Sequence, residues 1–290
     1  MSFHPRRSVL YIPGSNQRAL EKAKTLPADT LILDLEDAVL PDLKPQAREY
    51  VAAAVNAGGY GHREVVIRIN ALSTPWGKED LKAAAWAAAD AVCLPKIETA
   101  AQIRSAADAL DALGAPPEMA LWPMLETPLG VLNAREIAGA HPRVNVMLMG
   151  TTDLAKELRV PHTPDRLGFI TALGLAVLAA RAHGLEILDG VHLDLSGGDE
   201  FRAICQQGKT LGFDGKTLIH PNQIAPANEI FGPDADAIDH ARRLIAAYEQ
   251  AEQTGSGVAV LDGKLVENMH VDEAKRLLAI AQVIADMTNA

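Results

Sequence analysis

The feature that most constrains the fold of this chain is a regular alternation of short β-rich runs with alanine-rich helical stretches. The β-rich runs occupy eight segments, at 8–13, 30–35, 64–70, 90–96, 119–126, 144–150, 185–190 and 214–221. A helical pattern such as "KPQAREYVAAAVNA" separates most of them. Strands that alternate with helices form a parallel sheet, because each connection to the next parallel strand needs a crossover. Eight such repeats within about 220 residues predict a (β/α)8 TIM barrel, whose typical length is about 250 residues.

A doubly wound open sheet is the alternative fold for the same alternation. That fold binds nucleotides through a glycine-rich phosphate loop after its first strand. The corresponding segment here, "YIPGSNQRAL", contains one glycine. The fingerprint is absent, so the barrel is the preferred prediction.

The residues after the barrel differ in pattern. We predict a catalytic barrel over 1–232 and a C-terminal extension over 233–290, with helices at 234–254 and 271–288. The extension is too short for a separate domain, so we interpret it as a helical lid or an oligomerisation arm. The glycine-rich "TGSG" before its second half is predicted to act as a hinge.

Composition excludes several classes of function. The formal net charge of −10 argues against nucleic-acid binding, because a phosphate backbone requires a basic protein face. Two cysteines, Cys93 and Cys205, without metal-ligand spacing, and the lack of a signal peptide predict a reducing, cytoplasmic location. The longest apolar stretch, "LGFITALGLAVLAARAHG" at 167–184, is too short for a membrane span, so we predict a buried helix there.

An acidic run follows the second β-rich segment. The stretch "LILDLEDAVLP" begins as a buried strand and continues with Asp34, Glu36 and Asp37, with no Lys or Arg before Lys44. Carboxylates this close repel one another, and in a dry site they require a cation or several hydrogen bonds. Taken alone, the run is equally consistent with a solvated loop.

Polar residues follow every predicted strand, and in a TIM barrel the carboxyl ends of the strands form the active site. The residues at these positions are Gly14–Asn16, Asp34, Glu36, Asp37, Arg68, Asn70, Lys96, Glu126, Thr151–Asp153, Asp189 and His220. Any one of them is explained by a helix cap or a loop. Together, however, their carboxylates would lie close to one another at the end of the barrel where the strands finish.

Crowded carboxylates without a His or Cys cluster predict a hard divalent cation, Mg²⁺ or Mn²⁺. Glu126 and Asp153 end adjacent strands, and we assign them as the direct ligands. Glu36 and Asp37 are predicted to surround the metal, either through metal-bound water or by orienting Arg68.

Seven ordered motifs cover nearly the whole chain: "RRSVLYIPGSN", "LDLEDAV", "VIRIN", "LPKIE", "LETPLGV", "GTTDLAKELR" and "GFDGKTLIHPNQI". In this order they resemble the citrate lyase β-subunit-like family of the HpcH/HpaI aldolase superfamily. That family includes malyl-CoA lyases, citramalyl-CoA lyases and malyl-CoA thioesterases. The resemblance implies a Mg²⁺-dependent TIM barrel that works beside a CoA-type thioester.

The resemblance also implies roles for individual residues. The family's metal carboxylates match Glu126 and Asp153, and its arginine for the substrate carboxylate matches Arg68. The arginine near the thioester arm matches Arg7. Thr152 matches the residue whose backbone faces the substrate, so the implied substrate-binding set is Arg7, Arg68, Glu126 and Thr152.

The C-terminal lid of the family typically supplies an aspartate as acid or base to a neighbouring protomer. Here the lid motif reads "GKLVENM", with Glu267 at the aspartate position and without the proline that usually follows. We therefore predict Glu267 and Arg68 as catalytic residues. A lid that works across a subunit boundary implies a homotrimer or a hexamer.

The implied reaction is the cleavage or formation of a 3-hydroxy-carboxyacyl-CoA, such as citramalyl-CoA or malyl-CoA, with acetyl-CoA and a 2-oxo acid as the other partners. Two alternatives are a malyl-CoA-type thioesterase and the citryl-carrier-protein lyase β subunit of a citrate lyase complex. The basic residues Arg7, Arg18, Lys22 and Lys24 either meet the CoA phosphates or form a solvated helix face. Neither a nucleic acid nor a membrane is expected as a partner.

Overall fold

The computed structural model describes residues 4–253 and 258–289. Within these residues, eight parallel strands close into a barrel in chain order, with β1 paired to both β2 and β8. The strands are β1 Ser8–Pro13, β2 Thr30–Asp34, β3 Glu64–Arg68, β4 Ala91–Leu94, β5 Ala120–Leu125, β6 Val146–Met149, β7 Glu186–Asp189 and β8 Gly215–Leu218. The predicted (β/α)8 fold is confirmed, and each strand lies inside its predicted segment.

The barrel strands are buried on both faces, and alternate residues supply the two cores. Ile32, Val66 and Trp122 belong to an apolar cluster inside the barrel. Their chain neighbours Leu31 and Leu33 belong to the larger core between the barrel and its helices. Successive side chains of a strand point to opposite faces, so residue parity within each strand decides which side chains enter the barrel.

Helices connect successive strands and pack on the outside of the barrel. In the barrel unit they are α1 Gln17–Ala23, α2 Lys44–Ala57, α3 Gly77–Ala87, α4 Ala100–Ala112, α5 Pro128–Leu132, α6 Ala134–Ala138, α7 Thr151–Leu158, α8 Ile170–Ala182, α9 Asp199–Leu211 and α10 Ile224–Phe231. Helix α4 shows why they form: Thr99 and Gln102 make a reciprocal capping box at its start. Its buried residues, including Ile103, Ala107 and Leu110, recur at helical spacing.

The prediction that the apolar stretch at 167–184 is a buried helix is only partly correct. Helix α8 forms there and buries Leu173, Ala176 and Ala180. Leu178, however, is 69% exposed. A helix on the outside of a barrel packs against the strands along one side only. The apolar residues on its other side therefore remain exposed to water.

The amino-terminal ends of the strands are joined by ion pairs. Arg6, just before β1, binds Glu64 at the start of β3 through Nε and Nη2, at 2.6 and 2.7 Å. Its Nη1 reaches Glu186 at the start of β7, at 2.7 Å. Three strands are thereby tied together at the end of the barrel that TIM-barrel proteins use for stability rather than catalysis.

The residues from Gly232 onward form a compact unit separate from Arg6–Phe231. Its elements are α11 Ala235–Gln253, β9 Ala259–Leu261, β10 Lys264–Val266 and α12 Asn268–Asn289, with β9 and β10 antiparallel. A small core of Ala259, Val266 and Val271 holds the unit together. The predicted "TGSG" hinge lies outside the described residues. Across the described parts of the chain, no helix is long and apolar enough to cross a membrane.

Candidate active site at the carboxyl ends of the strands

A cavity of about 330 Å³ opens where the barrel strands end. Its lining residues are Tyr11, Asp34, Asp37, Ala38, Arg68, Met124, Glu126, Met149–Asp153, Val191, Leu193, Thr217 and Ile219. Asp34 lies two residues after Ile32, and Arg68 lies two residues after Val66. Residues two apart in a strand point to the same face, so both side chains point into the barrel, as Ile32 and Val66 do. Asp34 and Arg68 are also partners in the register of β2 and β3.

Arg68 is held in a fixed orientation by Asp34. Its Nε and Nη2 donate to Asp34 Oδ1 and Oδ2 at 2.7 and 2.6 Å, a bidentate pair. The guanidinium carbon lies 4.6 Å from the centroid of the Tyr11 ring. Asp34 also accepts the backbone N–H groups of Glu36 and Ala38, which fixes its own position.

The two acidic residues predicted to orient Arg68 have weaker contacts with it than Asp34 has. Glu36 Oε2 lies 3.1 Å from Arg68 Nη1, and Asp37 Oδ2 lies 3.6 Å away on a side chain that is 66% exposed. Asp34 was part of the predicted acidic run, but nothing in that run distinguishes it from Glu36 and Asp37. Only strand register shows that it faces Arg68.

Glu126 is the most perturbed acid of the cavity. It is 3% exposed and accepts the backbone N–H of Lys96 on Oε1 at 2.6 Å. Burial, and secondly the negative charge of Glu36, raise the pKa of Glu126 to about 8. Gly150 leaves the room it needs, because a Cβ there would lie 2.6 Å from Glu126 Oε2. The site therefore favours a protonated Glu126 unless a divalent cation binds beside it.

Asp153 and Thr152 lie in the first turn of α7, directly after β6. The backbone N–H groups at the start of a helix are unpaired within the helix and attract negative charge. Asp153 is partly exposed, and its Oδ2 lies 3.0 Å from Lys96 Nζ. The predicted neighbours Glu126 and Asp153 are thus both in contact with the same lysine.

Lys96 was among the predicted strand-end residues, but the sequence analysis assigned it no role. Its Nζ lies 3.2 Å from Glu36 Oε1 and 3.0 Å from Asp153 Oδ2, and its backbone N–H binds Glu126. Burial opposes its charge, but Glu36 and Asp153 raise the pKa of Lys96 above its ordinary value. Its φ of 54° is in the left-handed region, which is uncommon outside glycine. The available signal was the position of Lys96 after β4, at the mouth of the predicted barrel.

These six residues, Asp34, Glu36, Arg68, Lys96, Glu126 and Asp153, are called the mouth cluster below. Four carboxyl groups face two cationic side chains, so the cluster has an excess of acid. Among the described residues, no group of three or more His, Cys, Asp or Glu side chains converges as a metal site. Mg²⁺ takes one or two protein carboxylates and keeps its other positions for water or substrate, so Glu126 and Asp153, which both contact Lys96, nevertheless suit it.

Several other strand-end residues have structural roles. The amide of Asn70 binds Asp80 and the backbone oxygen of Leu35. Thr127, rather than Glu126, caps α5 by accepting the N–H of Gly130. His220 accepts the N–H of Asn222 in the turn after β8. For these positions the sequence-based alternative of a cap or a loop is correct.

The structure does not bring Arg7 to the mouth. Arg7 precedes β1, so it lies at the amino-terminal end of the barrel, where Nε and Nη2 bind Asp29 at 2.8 and 2.7 Å. The match to a substrate-binding arginine is therefore not supported by its position. Lys24 pairs with Glu21 at 2.8 Å and lies 5.6 Å from the Tyr60 ring centroid, while Arg18 is exposed at the start of α1.

Glu267 lies in the C-terminal unit, between β10 and α12. Its side chain is exposed, and its backbone N–H donates to Nδ1 of His270 at 3.0 Å. Its backbone oxygen accepts from the first turn of α12. The catalytic role of Glu267 stays a prediction.

Comparison with known proteins gives consistent matches along the chain. The HpcH/HpaI aldolase/citrate lyase family profile matches residues 7–221. A protein of Cereibacter sphaeroides named (3S)-malyl-CoA thioesterase is 51% identical over 282 residues, covering 97% of this chain and 96% of that protein. The citrate lyase subunit beta of Leuconostoc mesenteroides is 36% identical over 281 residues, covering 95% and 93%.

A solved structure extends this likeness to three dimensions. CitE of Mycobacterium tuberculosis, in complex with magnesium, acetoacetate and coenzyme A, aligns with a TM-score of 0.77 and 30% sequence identity. The alignment covers 96% of this chain and 98% of that one.

Proposed function

This chain belongs to the HpcH/HpaI aldolase/citrate lyase family, and we propose that it is a Mg²⁺-dependent enzyme acting on a 3-hydroxy-carboxyacyl-CoA of the malyl-CoA class. The observation that carries the proposal is the mouth cluster. It combines Arg68, which Asp34 holds in place, with the carboxyl groups of Glu126 and Asp153. The two cationic side chains of the cluster do not balance its four carboxyl groups. Such a site can bind an anionic substrate and a cation side by side.

Glu126 and Asp153 are the proposed metal ligands, with Mn²⁺ as a possible substitute for Mg²⁺. The magnesium in the CitE complex supports the choice of metal, and the choice of ligands rests on the position of the two carboxyl groups in the cavity. When bound, Mg²⁺ supplies positive charge that stabilises negative charge on a substrate oxygen. Glu36 and the exposed Asp37 lie around the two ligands. Lys96 holds the carboxylates in place and is available to the substrate once a divalent cation takes over that task.

Arg68 is the proposed partner of the free substrate carboxylate. Because Asp34 occupies two of its nitrogens, only Nη1 is directed to Glu36 and the cavity. The backbone N–H groups at the start of α7, including that of Thr152, are suited to a substrate oxygen. Arg68→Lys should lower kcat/KM by about tenfold or more, since lysine has no planar fork to bind Asp34 and the substrate together. Unchanged kinetics would remove Arg68 from substrate binding.

Hydrolysis of the thioester is the favoured reaction, because the thioesterase relative matches half of the residues over nearly the full chain. A water oxygen attacks the thioester carbonyl, the C–S bond breaks, and the thiolate of CoA takes up a proton. The products are the free hydroxy acid and CoA.

Carbon–carbon cleavage is the second candidate, favoured by the citrate lyase beta relatives. A base removes the proton of the 3-hydroxyl group, the adjacent C–C bond breaks, and a 2-oxo acid leaves. The acetyl thioester departs as an enolate, which is then protonated. In a citrate lyase complex, the thioester would be carried by an acyl-carrier protein instead of CoA.

An assay with (3S)-malyl-CoA and Mg²⁺ tests the proposal and separates the reactions. A thioesterase releases one thiol per substrate and no glyoxylate. A lyase releases glyoxylate together with acetyl-CoA and no free thiol. Citryl-carrier protein as substrate, with oxaloacetate as the readout, tests the third reaction. If no substrate reacts faster with the wild-type protein than with Glu126→Gln, the proposed function is wrong.

Glu267 is the proposed acid or base, supplied by one protomer to the barrel of another within a homotrimer or hexamer. Mixed oligomers test this arrangement. Glu267→Ala and Asp153→Ala proteins should each be inactive, and their mixture should regain part of the activity after subunit exchange. A mixture that stays inactive after demonstrated exchange would contradict action across subunits. Full activity of Glu267→Gln would exclude proton transfer by this residue.

A further inference from the structure

A second pocket lies beside the mouth, between the segment after α7 and the segment after β7. Its volume is about 210 Å³. Phe169, Leu193 and Ile204 give it apolar walls, and Arg166 and His192 supply polar groups. Thr151, Val191 and Leu193 line both this pocket and the mouth cavity. The pocket is therefore adjacent to the candidate active site without containing its proposed ligands.

A buried ion cluster stands behind this pocket, made of Arg166, Asp189 and Lys216, which we call the wall cluster. Arg166 Nη1 contacts both carboxylate oxygens of Asp189 at 2.7 Å, and Lys216 Nζ contacts Oδ2 at 2.9 Å. Asp189 and Lys216 are 0% exposed, and Arg166 is 6% exposed. One carboxylate thus faces two basic side chains. Burial makes such an imbalance costly unless another anion balances it, and it lowers the pKa of Lys216.

The wall cluster faces away from the barrel interior. Asp189 follows Leu188, which belongs to the apolar cluster inside the barrel, so its side chain points toward α9. Gly208 of α9 makes room for it, since a Cβ there would lie 2.9 Å from Asp189 Oδ2. The imbalance therefore cannot be offset by the acids of the mouth cluster through direct contact.

Two nitrogen atoms of the pocket have unused hydrogen-bonding capacity. Arg166 Nε donates to Gln207 at 2.6 Å and Nη1 to Asp189, but Nη2 has no hydrogen-bond partner among the described residues. Nε2 of His192 is likewise buried and unbonded within residues 4–253 and 258–289. A buried N–H group without an acceptor costs free energy, so Arg166 Nη2 favours a ligand that accepts hydrogen bonds, and His192 Nε2 does so when it carries the ring proton.

The acidic side chains near the pocket do not satisfy these nitrogens. Asp194 accepts from the backbone and side chain of Ser196. Glu200 is half exposed, and its Oε1 lies 4.0 Å from His192 Nε2, too far for a hydrogen bond.

The backbone at Arg166 adds a second observation. Its φ is 52°, in the left-handed region that a residue with a long side chain rarely adopts. The turn is held by the N–H of Arg166 donating to the backbone oxygen of Thr163, at 3.0 Å. Strained backbone of this kind is concentrated at functional sites. Here the strain directs a guanidinium to the pocket.

We propose that this pocket binds a small monocarboxylate. Its carboxylate oxygens accept hydrogen bonds from Arg166 Nη2 and His192 Nε2, and its short apolar group packs against Phe169, Leu193 and Ile204. The bound anion offsets the excess positive charge of the wall cluster. The site is separate from the proposed metal site and does not require Mg²⁺.

Propionate is a suitable probe, tested in EDTA so that no metal ion in the mouth binds its carboxylate. Saturation-transfer NMR of the propionate methyl group should show saturable binding, and phosphate at equal ionic strength should not displace it. His192→Phe should weaken binding about tenfold or more, because it removes one hydrogen bond to a charged ligand and fills the pocket. His240→Phe, on the exposed surface of α11, is the matched control.

Two further variants make the result decisive. Ile204→Phe fills the pocket from α9 without altering either nitrogen, and should weaken propionate binding if His192→Phe fails to fold. Arg68→Gln removes the proposed substrate arginine of the mouth and should leave propionate binding unchanged. The proposal is overturned if wild-type protein binds no propionate, if phosphate binds more tightly, or if Arg68→Gln abolishes binding while the pocket variants do not. None of these outcomes depends on the reaction proposed above.

Discussion

The mouth cluster and the wall cluster are ion networks of one barrel, the first partly exposed and the second buried, and their charge imbalances have opposite signs. At the mouth, four carboxyl groups face Arg68 and Lys96. Behind the wall, Asp189 alone faces Arg166 and Lys216. The comparison teaches that the sign of a buried imbalance indicates the ligand: the first network is suited to a cation and the second to an anion.

The two networks also respond differently to burial. At the mouth, burial raises the pKa of Glu126 to about 8, so protonation can relieve the excess of acid. In the wall cluster, burial alone would raise the pKa of Asp189, but Lys216 and Arg166 hold it below its ordinary value. The charge of the mouth cluster can thus be changed by protons or a metal ion. Asp189 of the wall cluster stays charged and supports the fold.

Glu126→Gln should have the largest effect, a loss of activity without a loss of stability. Loss of a metal ligand should lower kcat by on the order of 10³-fold, because the metal contributes several kcal/mol to the transition state. The metal-free protein should keep or gain stability, since one acid of a crowded group is removed. Steady-state kinetics and thermal unfolding in EDTA measure both effects, with the exposed Glu136→Gln as control. Near wild-type turnover would contradict the metal assignment.

Asp189→Asn should act on stability instead. It leaves Lys216 and Arg166 buried without a carboxylate, so the free energy of unfolding should fall by about 3–5 kcal/mol. Lys216→Met removes the same Lys216–Asp189 contact but leaves one cation per carboxylate, and should cost less. Urea unfolding of both variants decides the point. Equal losses would mean that charge imbalance is not what distinguishes the wall cluster.

Lys96→Met sharpens the comparison by increasing the excess of acid at the mouth. Without the ammonium, Glu36 and Asp153 repel each other more strongly, so the Tm of the metal-free protein should fall by a few degrees. The affinity for Mg²⁺ should rise by about tenfold, because the ion no longer competes with Lys96 for Asp153. Calorimetric titration with Mg²⁺ measures the affinity, and Lys156→Met on the exposed side of α7 is the control. Weaker Mg²⁺ binding would show that Lys96 supports the metal site rather than competing with it.

The pH dependence of stability should be gradual, with a small change over any one pH unit. Glu126 has an ordinary pKa of 4.5 and a folded pKa of about 8, so between these values the folded state binds more protons than the unfolded state. The free energy of unfolding should therefore decrease as pH rises through this window, by about 1.4 kcal/mol per pH unit at most. Denaturant midpoints of the metal-free protein between about pH 5 and 8 measure the slope. A slope unchanged in Glu126→Gln would assign it to other groups.

Much of the fold and part of the site follow from the sequence. Eight short apolar runs separated by helical patterns leave few alternatives to a closed parallel barrel, because each run is too apolar to face water on either side. Because all the strands are parallel, the residues that follow each run lie at the same end of the barrel. For that reason Arg68, Glu126 and Asp153 could be named as one group before their positions were known.

Which of these side chains touch each other was decided only by the tertiary structure. Asp34 meets Arg68 because of strand register and residue parity, and Lys96 reaches Glu36 and Asp153 through a left-handed turn that no local pattern predicts. Arg7 matched a motif but lies one residue before its strand, at the opposite end of the barrel. Arg166 and Asp189 are 23 residues apart in the chain and meet on the side of the barrel strands that faces away from the interior. The periodicity of apolar residues determines how strands and helices form layers. Ion pairs join residues that are far apart in the chain, and the distance between them is set only when those layers pack together.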